Sequence, residues 1–180
     1  MIITLLRHAE VVEEYQGKYN GHINIPLSEN GKKQAKHIAQ KLQDEAFDAV
    51  YCSDLLRAKQ TLEAFDIAAP IVYTEKLREK SWGMHEGKSF EELEQSGLVY
   101  ESFEDWLELL DGEDIYEYLR NIETFFEDVI YKLDAQNVLV VTHSGPIKTI
   151  LRIQDNLSLE RAFGIDLPYG AHLKIHRPEV

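Results

Sequence analysis

The chain has 180 residues, 44% hydrophobic and 28% charged, the length and composition of one globular domain able to bury a core. Lys and Arg number 19 against 32 Asp and Glu, and the resulting net charge of −13 argues against nucleic acid or an anionic membrane as partner. A single cysteine, Cys52, excludes an internal disulfide framework, and no apolar run approaches the roughly 20 residues of a membrane helix.

Met1 to Leu6 reaches Arg7 and His8 too soon to form the apolar core of a signal peptide, so a cytoplasmic protein is expected. Ile2 to Leu6 is an apolar run read as a buried strand. A loop rich in Gly, Tyr and Asn follows, and Ser28 then serves as the N-cap of a helix with Ala35, Ile38, Ala39 and Leu42 on one face. Ala49 to Cys52 reads as a second strand. A helix opening at Ser53-Asp54 carries Leu55, Ala58, Leu62 and Phe65, and Ile71 to Tyr73 is a third strand. Helices are expected over Ser102 to Leu110 and Glu113 to Leu133. Val138 to Thr142 is another strand, Gly145-Pro146 starts a helix with Pro in its first position, and His172 to His176 alternates as an edge strand.

Strands interleaved with helices indicate a single α/β domain with a mostly parallel sheet. Ligands of such sheets bind beyond the carboxyl ends of the strands. That rule selects Arg7-His8, Ser53 to Arg57, and His143-Ser144-Gly145. Charge is concentrated elsewhere: Glu75 to Asp134 contains eighteen acidic and six basic side chains, nearly the whole excess, so the remainder can hold a cationic pocket. Roughly residues 85–135 form a helical, acidic region expected to cover the site.

Three motifs fail on spacing. Gly83 to Ser89 has one residue too few between its glycines for a phosphate-binding P-loop. Cys52 to Arg57 is one residue short of a cysteine phosphatase loop and lacks its glycines, so Cys52 is read as a core thiol. His172 and His176 have no third ligand nearby in sequence, and no metal is expected. What remains is His8 with Arg7, Arg57 beside a helix N-terminus, His143 before another, and Glu79. Arginines and helix N-termini bind phosphoryl oxygens, neighbouring cations keep imidazole neutral and nucleophilic, and a carboxyl group can protonate a leaving oxygen.

The same residues carry a resemblance. Arg7-His8-Ala9-Glu10, Tyr19-Asn20-Gly21, Ile25-Pro26-Leu27-Ser28, Cys52-Ser53-Asp54-Leu55-Leu56-Arg57-Ala58, Leu77-Arg78-Glu79, Trp82-Gly83, Glu86-Gly87 and Thr142-His143-Ser144-Gly145 resemble, in order, the motifs of the histidine phosphatase (phosphoglycerate mutase-like) superfamily. The resemblance implies a three-layer α/β/α domain spanning residues 1–180. It implies a phosphohistidine intermediate on His8, a proton donor in Glu79, and a phosphoryl group bound by Arg7, Arg57 and His143, with Asn20, Gly21 and Ser144 as further phosphate contacts. No cofactor is implied. The partner is a small phosphomonoester, and a homodimer is compatible with the family.

Several positions depart from the family pattern. Glu14 stands where many members have a phosphate-contacting Asn, Lys18 replaces an Arg, Asn24 replaces an Asp, and the usual Pro-Gly-Gly-Glu-Ser segment is reduced to Asp111-Gly112-Glu113-Asp114. A carboxylate beside a phosphoryl group is repulsive, so Glu14 is expected to face elsewhere. Among subfamilies the chain resembles the alpha-ribazole phosphatases and related small-molecule phosphatases, with Tyr15, Tyr19 and Trp82 either lining an aromatic pocket or packing as core. A mutase-type isomerase and a catalytically silent phosphate-binding domain are the alternatives. The acidic cover makes a poor wall for a triply charged bisphosphoglycerate, which favours hydrolysis over mutase chemistry.

Overall fold

The apolar runs become five strands: β1 (Ile2–Arg7), β2 (Ala49–Ser53), β3 (Ile71–Thr74), β4 (Asn137–Thr142) and β5 (His172–His176). The computed structural model describes residues 1–178. The strands form one sheet in the order β3-β2-β4-β1-β5. β1 to β4 run parallel, and β5 is added antiparallel along the outer edge of β1. The central strands β1 and β4 are covered on both faces and bury nearly every residue, as continuous apolar runs require. β5 alternates instead, exposing His172, Lys174 and His176 and burying Ile175.

The helices are α1 (Glu29–Lys41), α2 (Leu56–Leu62), α3 (Phe90–Gln95), α4 (Phe103–Leu109), α5 (Ile115–Asp128), α6 (Ser144–Gln154) and α7 (Leu159–Phe163). One sheet face, presenting Leu6, Val50, Cys52, Leu139 and Val141, packs against Ile38 of α1 and Ala58 and Leu62 of α2. The opposite face presents Ile3, Leu5, Val138 and Val140 to Ile115, Leu119, Ile122 and Phe126 of α5 and to Ile147 and Ile150 of α6. The result is a three-layer α/β/α domain with a mostly parallel sheet. Among the described residues, no helix is long and apolar enough to cross a membrane.

The boundaries differ from expectation where cap-type residues are engaged elsewhere. α2 opens at Leu56 instead of Ser53-Asp54, because Asp54 forms a bidentate pair with Arg78 and Ser53 turns to His143. The first N–H of α2 is capped from another loop, by Asn24 Oδ1 at 2.7 Å. Pro146 is the third residue of α6, since the helix already begins at Ser144. The long expected helix over Glu113 to Leu133 runs only Ile115–Asp128 and ends in a 3-10 turn, Ile130–Lys132. α3 and α7 were not expected. α3 begins with a reciprocal capping box between Ser89 and Glu92, which holds a six-residue helix that propensity alone leaves marginal.

The region over residues 85–135, expected to cover the site, is anchored on the body of the domain. Leu93, Trp106, Leu107 and Leu110 are buried in the same core as α5, so α3 and α4 pack their apolar side onto the body of the domain. Amphipathic helices bury their apolar face where a core already exists, and the acids are left outward.

Candidate active site

β1 and β4 are neighbours, yet the chain leaves them in opposite directions. From β1 it passes through α1 to β2, beyond β4; from β4 it passes through α6 and α7 to β5, beyond β1. Such a switch point opens a crevice at the carboxyl ends of the strands. His8 sits in it, its N–H donating to the Thr142 carbonyl at 2.9 Å and its carbonyl accepting from Gly170 N–H at 3.0 Å. His143 follows β4 directly and stands at the N-cap of α6, while Arg57 lies in the first turn of α2.

The imidazoles of His8 and His143 meet edge to face with ring centroids 5.1 Å apart. Both are buried, and each is held well below the ordinary histidine value, first by burial and then by the nearby Arg57 guanidinium. Both are therefore uncharged at neutral pH. His8 Nδ1 lies 2.8 Å from the Ala9 carbonyl, an acceptor only, so the ring proton sits on Nδ1 and the lone pair on Nε2. The Ala9 peptide is itself oriented by Thr61, whose buried hydroxyl accepts from Ala9 N–H at 2.9 Å and donates to the Arg57 carbonyl.

Arg57 is 2% exposed, and burial lowers its pKa to about 10. Two of its nitrogens donate to the carbonyls of Ile23 and Gly21 at 2.8 and 2.7 Å, which fixes the plane of the guanidinium. Gly21 has φ +51, and a Cβ there would collide with the Glu86 carboxylate, so this turn requires glycine. Arg7 donates to the Leu167 carbonyl and stacks 4.3 Å from the centre of the Tyr169 ring, while its Nε is buried and, among the described residues, without a partner. Glu79 accepts from Lys80 N–H and Gly145 N–H, each at 3.1 Å, and from the Tyr118 hydroxyl at 3.3 Å. A Cβ on Gly145 would overlap the Glu79 carboxylate and crowd the Tyr118 hydroxyl.

Arg7, His8, Asn20, Gly21, Arg57, Glu79 and Ser144 all line one cavity of about 240 Å³, and His143 stands directly behind His8. Eight sequence-nominated residues thus converge from five separate segments. Asn20 differs in detail: its amide nitrogen donates to the Tyr15 carbonyl at 2.7 Å, leaving a buried Oδ1 without a partner among the described residues. Glu14 is exposed and does not line the cavity. Cys52 is fully buried with its thiol pushed far up by burial, a core residue as read.

Lys18, Tyr19, Trp82, Phe163 and Tyr169 complete the wall. Phe163 and Tyr169 were not expected there: α7 is too short to show a helical period, and Tyr169 lies in a turn far in sequence from the other site residues. No residue of α3, α4 or α5 lines the cavity. The acidic region reaches it one step removed, through Trp106 Nε1, which donates to the Tyr19 hydroxyl at 3.0 Å, and through the Tyr118 hydroxyl on Glu79. Among the described residues Glu79 is the one carboxylate that lines the cavity, so no acidic wall repels a bisphosphoglycerate.

Residues 3–179 match the histidine phosphatase superfamily (branch 1), and the chain belongs to that family. It is 32% identical to the adenosylcobalamin/alpha-ribazole phosphatase of Salmonella typhimurium, over 84% of this chain and 78% of that protein. It is 29% identical to phosphoserine phosphatase 1 of Hydrogenobacter thermophilus, over 98% and 87% respectively. Its fold superposes on the alpha-ribazole phosphatase of Shigella flexneri with a TM-score of 0.85 at 26% identity, covering 98% of this chain and 90% of that one.

The neutral histidines make a prediction for stability. Unfolded, each takes up a proton near the ordinary value of 6.5, whereas folded it does not. The unfolded state therefore binds more protons below that pH, and stability is lost as pH falls, by up to about 1.4 kcal/mol per pH unit for each histidine. Urea unfolding from pH 7 to pH 5 should show this decline, and His143→Asn should remove about half of it. A flat profile over that range would mean that the histidines are charged in the fold.

Proposed function

We propose that this protein is a phosphomonoesterase that acts on a small phosphorylated metabolite through a phosphohistidine at His8. The observation that carries the reading is a buried, uncharged imidazole with its Nδ1–H tied to a carbonyl, set among two guanidinium groups and sharing a small cavity with Glu79. In the first step the Nε2 lone pair of His8 attacks phosphorus. The bond to the ester oxygen breaks, and the protonated carboxyl of Glu79 gives that oxygen its proton. In the second step water attacks phosphorus, Glu79 takes the water proton, and the P–N bond breaks to release phosphate. Dividing the displacement this way replaces one hard step with two easier ones. Throughout, the Ala9 carbonyl accepts the hydrogen bond from Nδ1–H, and this bond strengthens as positive charge grows on the phosphorylated ring. Arg7 and Arg57 offset charge on the equatorial oxygens, and their fixed planes require no reorganisation during reaction.

The rim supports a flat leaving group. Tyr19 and Trp82 meet edge to face at 5.1 Å on the cavity wall, and Phe163 and Tyr169 also line it. Alpha-ribazole 5′-phosphate, with one phosphate and an uncharged aromatic base, fits such a rim by stacking. A second reading, a phosphorylated amino acid such as phosphoserine, is favoured by Lys18 on the same rim, whose ammonium can meet a substrate carboxylate.

The covalent step is tested by acid-quench and base-quench labelling. Turned-over enzyme should carry phosphate that is stable in base and labile in acid, should lose it in His8→Ala, and should keep its activity in EDTA. A strict metal requirement with no labelled histidine would sink the mechanism.

Glu79→Gln tests the acid. It should slow an alkyl phosphate by about 10²–10⁴-fold, the usual worth of a positioned proton donor, and an activated aryl phosphate less. Equal losses on both would remove Glu79 from that role.

Substrate class is decided by comparing phosphate release from alpha-ribazole 5′-phosphate, phosphoserine and 3-phosphoglycerate, while following 2-phosphoglycerate formation with a bisphosphoglycerate primer. The highest kcat/KM is expected for alpha-ribazole 5′-phosphate. Preference for phosphoserine would select the second reading, and mutase turnover exceeding hydrolysis would overturn the phosphatase assignment.

A further inference from the structure

His143 is fully buried, yet no carboxylate holds its ring. Its Nε2 lies 2.8 Å from the Oγ of Ser53, a residue with no exposed surface at the end of β2. Its Nδ1 is buried and, among the described residues, without a partner. Two tautomers are possible for a neutral imidazole, and they leave opposite groups at the unpartnered Nδ1: a donor or a lone pair.

The surroundings of Ser53 decide between them. Its Oγ accepts a long hydrogen bond from Leu55 N–H at 3.4 Å, and its other partner among the described residues is His143 Nε2. A hydroxyl carries one proton, and in a fully buried place that proton needs an acceptor. Leu55 N–H cannot supply one; His143 Nε2 can. If Nε2 carried the imidazole proton, the Ser53 proton would be left without an acceptor, and Nδ1 would be left as a buried, unpartnered lone pair on a ring that neighbours His8 and lies near Arg57 and Arg7. With the serine donating, the hydroxyl is satisfied and the unpartnered atom becomes an N–H.

We infer that Ser53 is a positioning residue that fixes His143 as the Nδ1–H tautomer, so that His143 acts as a neutral hydrogen-bond donor to the phosphoryl group. The inference rests on the phosphomonoesterase reading and extends it by one residue outside the cavity. It gives the paired histidines complementary roles from the same protonation pattern. His8 has Nδ1–H tied to the Ala9 carbonyl and offers the Nε2 lone pair as nucleophile. His143 has Nε2 tied to a hydroxyl and offers Nδ1–H as donor. A serine suits this task better than a carboxylate, because a carboxylate would draw a second proton onto the ring and place a negative charge beside the phosphoryl group.

The test uses full-length protein with ¹⁵N-labelled histidine, with His143 assigned by difference against His143→Gln. Long-range ¹H–¹⁵N spectra of the wild type should show His143 protonated at Nδ1. Ser53→Ala should shift it toward Nε2–H, weaken competitive inhibition by inorganic phosphate, and lower kcat/KM for an aryl phosphate by roughly 10–100-fold, the usual worth of a group that orients an active-site ligand. Ser53→Thr, which keeps the hydroxyl, should restore the tautomer and most of the activity. Thermal unfolding of each variant separates these effects from loss of fold, and the wild-type spectrum decides the tautomer even if Ser53→Ala fails to fold. An Nε2–H ring in the wild type, or Ser53→Ala with unchanged tautomer, phosphate inhibition and kcat/KM, would overturn the inference. Absence of phosphohistidine at His8 in the wild type would instead remove the functional reading.

Discussion

Two imidazoles are kept uncharged in a buried pocket that also holds two guanidinium groups, and the rest of the site is arranged around that constraint. Burial and the cations lower the proton affinity of both rings, and a carboxylate placed against either one would undo the effect. The fold therefore orients the rings with uncharged partners: the Ala9 carbonyl for His8 and the Ser53 hydroxyl for His143. The one carboxylate on the cavity wall, Glu79, is held apart by two backbone N–H groups and the Tyr118 hydroxyl.

The guanidinium groups are anchored in the same currency of backbone oxygen. Arg57 reaches across to the carbonyls of Gly21 and Ile23, and Arg7 to that of Leu167. These bonds tie the Gly-rich loop after β1, the first turn of α2 and the segment before β5 into one wall. Gly21 and Gly145 follow as requirements, since a side chain at either would displace Glu86 or Glu79. Lys80, buried with its ammonium on the Ser81 carbonyl and over the Trp82 ring, fixes the neighbouring stretch that carries Glu79. A site with few internal ion pairs can thus be rigid, because backbone carbonyls satisfy its cations without neutralising them.

The strands were legible in the sequence because strands covered on both faces must be apolar throughout, and Ile2 to Leu6 and Val138 to Thr142 are. α1 was legible from its cap and its period. α3 and α7 were not, since six and five residues are too few for a helical period to appear. α2 was placed too early because Ser53 and Asp54 look like capping residues. Their side chains are claimed by His143 and Arg78, which lie far away in the chain. The acidic segment looked like a cover because it had no other visible role. Its buried face, Leu93 with Trp106, Leu107 and Leu110, becomes apparent only once the core it joins exists.

By itself the sequence determined which residue types stand at the ends of β1, β2 and β4, and so that phosphoryl chemistry centred on His8 was the reading to pursue. That information is local: a strand, a turn and the residues just beyond it. Tertiary structure alone decided which nitrogen of each histidine carries its proton, that Glu14 faces away, and that Phe163 and Tyr169 form the wall where acidic helices had been expected. Protonation depends on burial and on the field of groups distant in sequence, and a cavity wall depends on where helices pack. Both are set by how the layers close on one another, which no local pattern of residues encodes.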